Sequence, residues 1–110
     1  MSNYYLYPSN LKTKKYVVKF TNEKTGRINT IHFGAAGMSD YTLNNDDKRK
    51  ALYINRHIND NINDLNYPGC WSMNLLWNKK TISASIRDME KRYNININLY
   101  FATNTPSNEP

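Results

Sequence analysis

The chain has 110 residues, a length that suits one domain burying roughly two thirds of the surface its unfolded form exposes. Its formal charge is +6, from 15 Lys and Arg against 9 Asp and Glu, which favours anionic partners: nucleic acid, an acidic protein surface or anionic lipid. A single cysteine, Cys70, excludes an intrachain disulfide, and with two scattered histidines it leaves no cluster at metal-ligand spacing, so no metal or cofactor is expected.

No run approaches the roughly eighteen consecutive apolar residues of a spanning helix, and Met1–Tyr5 lacks the basic and hydrophobic parts of a signal peptide. A soluble intracellular protein without membrane contact is the expectation. Residues 1–13 read as an irregular, Tyr-rich arm containing Pro8. Lys15–Phe20 alternates, with Tyr16, Val18 and Phe20 on one face, and Arg27–Phe33 repeats the pattern with Asn29, Ile31 and Phe33. Thr21–Gly26 lies between them, so a β-hairpin is predicted.

Gly34-Ala35-Ala36-Gly37 ends the second strand with small residues that allow positive φ or close backbone approach. Its spacing fits neither a dinucleotide fingerprint nor a Walker loop. Ser39 and Asp40 fit turn and capping roles. From Asn45 or Asp46 to about Ile58 the pattern is helical, with Ala51, Ile54 and Ile58 along one side. Arg49, Tyr53 and Arg56 share another stripe beside Lys48, and this is the candidate anion-facing surface. Asn59–Gly69 is an Asn- and Asp-rich loop, after which Cys70–Trp77 offers a short helix turning Trp71, Leu75 and Trp77 toward a core.

Lys79 and Lys80 are further candidate phosphate or carboxylate contacts. Thr81 is placed to cap the clearest helix, whose apolar stripe is Ile82, Ile86, Met89 and Tyr93, with Asp88 and Arg92 paired four apart. Asn94–Phe101 then alternates strictly, predicting a third strand with Ile95, Ile97, Leu99 and Phe101 inward. The fold class is therefore α+β: a three-stranded sheet, hairpin plus C-terminal strand, packed against two or three helices in the order β-β-α-α-α-β. The domain spans 14–102, followed by a polar tail over 103–110. The expected core is Phe20, Phe33, Ile54, Trp71, Leu75, Trp77, Ile82, Ile86, Met89, Ile97 and Leu99.

One set of residues carries a resemblance: Phe33–Thr42; Arg49, Tyr53, Ile54, Arg56 and His57; and Trp71-Ser72, Leu75–Lys79, Thr81, Ser85 and Ile86. Over roughly Lys15–Tyr93 the chain resembles an uncharacterised protein family of large nucleocytoplasmic DNA viruses, relatives of the phycodnaviruses and mimiviruses. Met38 and Cys70 depart from bulkier or aromatic family residues. The resemblance implies a virus-encoded protein and no particular activity. It suggests a location in the virion, or in the host cytoplasm or viral factory during infection.

No paired carboxylates, nucleophile elbow, metal box or cofactor loop is recognisable, so an enzyme and a small-molecule substrate are not expected. His32 fits an outward strand position, and His57 sits near a helix C-terminus. Two readings stand. The first is a virion structural or interaction component contacting viral capsid or core proteins. The second is a sequence-nonspecific binder of DNA or RNA that contacts phosphates through a basic helix face.

Overall fold

In the computed structural model, which describes residues 2–100, alternation begins earlier in the chain than the sequence reading places it. Strand β1 runs Ser2–Pro8, with Tyr4 and Leu6 buried on one face and Tyr5 and Tyr7 half-buried on the other. The expectation of an irregular arm is corrected over this stretch. Two large side chains spaced by two bury enough apolar surface to hold the segment in the sheet.

Strands β2 (Lys14–Thr21) and β3 (Ile28–Ala35) make the expected hairpin, and Gly26 supplies the positive φ of its turn. Strand β4 (Ile95–Leu99) buries Ile95 and Ile97. The sheet order is β3-β2-β1-β4. β1 pairs antiparallel with β2, setting Leu6 opposite Val18, and parallel with β4, setting Tyr4 opposite Ile97.

The α+β class holds, while the expected three-stranded sheet is corrected to a four-stranded mixed one. The C-terminal strand joins β1, not the hairpin, because β1 occupies the edge of β2 and offers its own free edge to β4. Among the described residues, the order β-β-α-α-α-β accordingly becomes four strands and four helical segments, β-β-β-α-α-α-α-β.

The helical segments are α1 (Tyr41–Asn44), α2 (Asp47–His57), α3 (Pro68–Trp71), which runs on into a π-helical turn over Ser72–Leu76, and α4 (Ile82–Tyr93). Their starts follow from capping. Asp40, Asp46 and Thr81 each accept a backbone N–H of the first turn, and Pro68 opens α3 where its missing N–H costs nothing. Asn94, at φ 55°, ends α4 in the left-handed region.

Helix α3, the π turn and α4 pack on the Tyr4/Leu6 face of the sheet. Trp71 is the centre of the core, its ring centroid 5.5 Å from Tyr4 and 6.2 Å from Phe33, and its indole N–H donates to Leu65 O at 3.0 Å. Phe20, Phe33, Trp71, Leu75, Ile86, Met89 and Ile97 lie in that core, with Trp77, Ile82 and Leu99 half-buried against it.

Ile54 is corrected: it is half-buried and lies outside the core cluster, because α2 buries no residue fully and turns Lys50, Tyr53, Ile54 and His57 inward while Ala51 and Ile58 are exposed. A stripe led by a flat aromatic ring finds Trp77 to pack on, which the aliphatic stripe does not. Phe101 and the tail over 103–110 lie outside the described residues.

Candidate functional site

The basic residues expected to share a surface are divided by the way α2 docks. Lys48, Arg49 and Arg56 are exposed, as are Lys79 and Lys80 in the loop after the π turn. Tyr53 instead turns inward, its ring stacked on Trp77 at 4.4 Å and 7° and lying 4.3 Å from His57. Burial first, partly offset by a hydrogen bond with Ser72, holds its phenol above the ordinary tyrosine value. The helix and the loop are nonetheless neighbours: the Lys50 ammonium donates to Asn78 O, and Asn45 Nδ2 donates to Lys80 O at 3.2 Å.

A groove of about 380 Å³ opens between α2, the end of β3 and the π turn, with Lys15, Asp40, Tyr53, Arg56, His57 and Trp77 in its wall. Its charges largely satisfy one another. Lys15 pairs with Asp40, whose carboxylate also accepts from Thr42 N at 2.9 Å, and His57 Nδ1 hydrogen-bonds Asp60 at 2.8 Å. Gly34, at φ 79°, closes the floor, where a Cβ would meet Leu76 Cδ1 at 2.8 Å.

Within the π turn, Asn74 is buried. It donates to Cys70 O at 2.8 Å and accepts from Arg92 at 2.6 Å, while Asn78 and Arg92 both donate to Asp88. The Asn78 hydrogen bond, followed by the Arg92 contacts, holds the Asp88 carboxyl below its usual range. Cys70 is fully buried in the same network and donates to the Tyr93 hydroxyl at 3.6 Å. Burial pushes its thiol upward. Neither imidazole partners it, since His57 bonds Asp60 and His32 bonds Ser9 Oγ at 2.8 Å. Among the described residues, no group of three or more His, Cys, Asp or Glu could hold a metal, and no helix is long and apolar enough to cross a membrane.

The face of the sheet away from the helices is built differently. Alternation places Tyr5 and Tyr7 of β1, Val17 and Lys19 of β2, Thr30 and His32 of β3 and Asn96 and Asn98 of β4 there. Register lines them up in rows, one of them Thr30, Lys19, Tyr5 and Asn98, the next His32, Val17 and Tyr7. Tyr100 follows β4, fixed by its N–H donating to Leu6 O at 2.9 Å. Its ring stacks 5.1 Å from Tyr7 and 6.5 Å from Tyr5, and Lys19 Nζ stands 5.7 Å over the Tyr7 ring.

Beside these rings is a depression of about 260 Å³ bounded by Tyr5, Tyr7, Lys19 and Ile28. The sequence reading did not single out Tyr5, Tyr7, Lys19 or Tyr100. The available signal was the strict Tyr4/Leu6 against Tyr5/Tyr7 alternation ahead of Pro8.

Charge is segregated between the two layers. None of the four strands contains an Asp or Glu. The segments that build the sheet layer, 2–35 and 95–100, hold six Lys and Arg and one acid, Glu23, a balance of +5; the helical segment 36–94 holds nine Lys and Arg and seven acids, a balance of +2. Lys15 is neutralised by Asp40, while Lys12, Lys14, Lys19, Lys24 and Arg27 are exposed. Glu23 accepts from Ser2 Oγ at 2.9 Å.

Residues 4–57 match the model of a family described as a family of unknown function, DUF5754. No curated protein and no solved structure gives a match. The matched segment takes in β1, β2, β3, α1 and α2, which includes the tyrosine-bearing strand and the whole cationic hairpin.

Proposed function

We propose that this chain is a small non-enzymatic binding module whose sheet layer engages the phosphates of a nucleic acid without reading base edges. The observation that carries the proposal is the segregation of charge. Five exposed cations lie along β2 and its two flanking turns, in a layer with one acid, whereas the cations of the helical layer are offset by seven acids. A cationic surface of that kind gathers a polyanion by releasing its counterions, and phosphate contacts position a protein without conferring sequence preference. Arg49, Arg56, Lys79 and Lys80 act in this reading as outlying contacts in a weaker field.

The test is binding of a fluorescently labelled oligonucleotide at low ionic strength, followed by anisotropy. Reversing charge in the sheet layer, Lys19→Glu with Arg27→Glu, should weaken binding by about tenfold or more, while Arg49→Glu with Arg56→Glu should retain most of it. Absence of binding by the native protein, or loss confined to the helix variant, overturns the proposal.

A second reading is favoured by a different observation. Between Met38 and Ile58 four large apolar side chains are exposed: Met38 at 63%, Leu43 at 69%, Leu52 at 54% and Ile58 at 53%. Such surface suits a protein partner. Joined to the resemblance to proteins of large DNA viruses, it supports an interaction component of a virion that contacts capsid or core proteins. Purified particles lacking the polypeptide would exclude that reading.

A further inference from the structure

We infer that the outer edge of β3 takes up an extended acidic segment of a partner protein as a fifth strand of the sheet, with carboxylates of that segment meeting Arg27 and Lys19. The inference goes beyond the phosphate-binding reading, since it assigns a ligand to the backbone of β3, and neither depends on the other.

The two ends of the sheet are finished differently. At the β4 end, Tyr100 N–H donates to Leu6 O, so alternation turns the N–H of Ile97 away from β1, where the Glu90 carboxylate accepts it at 2.9 Å and seals the edge. At the β3 end, Asn22 N–H donates to Arg27 O at 2.7 Å. From that pair onward the antiparallel register gives β2 the backbone groups of Asn29, Ile31 and Phe33 and turns those of Ile28, Thr30 and His32 outward. Among the described residues, no hydrogen bond reaches these outward groups.

Composition leaves the edge open as well. Ile28–Ala35 contains no Lys, Arg, Asp, Glu or Pro, the residues that usually guard an edge against strand addition. Ile28 is 71% exposed and offers an apolar contact beside the backbone. A row of alternating amides and carbonyls matches another extended peptide and has no counterpart in a nucleic acid.

Charge decides which peptide. Arg27 precedes the strand and Lys19 stands in register opposite Thr30; both are exposed and take part in no ion pair among the described residues. A strand added beyond β3 lies about 10 Å from β2, within the combined reach of a lysine and a glutamate side chain. The strands bring no carboxylate that would repel an acidic segment. A second copy of the chain would instead set +6 against +6.

The probe is a fluorescently labelled peptide of alternating Glu and Val, matched to the eight residues of β3 and followed by anisotropy. It should bind the native protein, its Lys-Val counterpart should not, and amide exchange at Ile28, Thr30 and His32 should slow in the complex. N-methylation of every peptide amide keeps the side chains and should weaken binding by about tenfold or more. Arg27→Glu should weaken it by about three- to tenfold. Thr30→Pro removes an outward N–H at an edge position, where proline is tolerated, and should abolish peptide binding while sparing oligonucleotide binding. Should the proline variant not fold, the N-methylated peptide and the exchange pattern decide on the native chain alone.

No binding of the Glu-Val peptide, equal binding of its N-methylated form, or slowed exchange confined to the helical layer overturns this inference and leaves the phosphate-binding reading standing. A native chain that is dimeric, with those three amides already protected, gives the edge to a second copy and overturns it too. Binding of the peptide without binding of an oligonucleotide upholds this inference and overturns the phosphate-binding reading.

Discussion

Gly34 shows how one residue fixes the relation between the layers. Its φ of 79° is strained for any side chain, and a Cβ there would sit 2.8 Å from Leu76 Cδ1 and 3.2 Å from Lys15 Cβ. Gly34→Ala should therefore cost about 1–3 kcal/mol, read as a fall in the denaturant midpoint at constant slope; an unchanged midpoint would show that Leu76 moves aside freely. The glycine's role was legible, since Gly-Ala-Ala-Gly at a strand end signals positive φ. Its neighbour Asp40 was legible as a cap. The pairing of Asp40 with Lys15 was not, because it joins residues 25 apart that only the folded chain brings together.

The elements differ in how they are held, and that decided which of them the sequence disclosed. β3 and α4 each bury one clean stripe, and β2 alternates through Tyr16, Val18 and Phe20 although Val17 is buried on its other face, so local periodicity sufficed. β1 hid its alternation because both of its faces carry tyrosine, and its parallel pairing with β4 links segments at opposite ends of the chain. The π turn escaped notice since its widened register, with Trp77 N–H donating to Ser72 O at 3.2 Å, accompanies side-chain bonding by Asn74 that no spacing reveals.

Helix α2 is the least anchored of the long elements. It has no fully buried residue and docks through the Tyr53–Trp77 stack, Lys50 and the Tyr41–Asp47 hydrogen bond. Tyr53→Ala should cost about 2 kcal/mol and raise amide exchange across Asp47–His57 while leaving β1 and β2 protected. Uniform loss of protection across the sheet would show instead that α2 is integral to the core.

For the molecule as a whole, titration and net charge yield further expectations. Tyr4, Tyr16, Tyr53 and Tyr93 are held above the ordinary tyrosine value chiefly by burial, and Tyr41 chiefly by its hydrogen bond to Asp47. Cys70 is raised by burial as well. The unfolded chain therefore loses these protons at lower pH than the folded one, so the stabilisation is complete below the unfolded values, about 8.5 for the thiol and 10 for the phenols, and drains away as pH rises through the folded ones. Thermal melts from neutral pH upward should show Tm falling steeply above about pH 10. A flat profile would mean that the buried hydroxyls reach water.

The α+β class was evident from the chain. The candidate surface was not, because its cations come from β2 and the turns on either side of it, and only the sheet sets them in a layer opposite a helical layer that carries most of the acids.

The central claim is the proposal that the cationic sheet layer engages the phosphates of nucleic acid, and it is tested most directly by measuring affinity for a single-stranded oligonucleotide across a series of salt concentrations. Five contacting cations, each contributing about −0.7, predict that log K falls against log salt with a slope of roughly −3 to −4. A slope near zero, or no binding at the lowest salt, would contradict it.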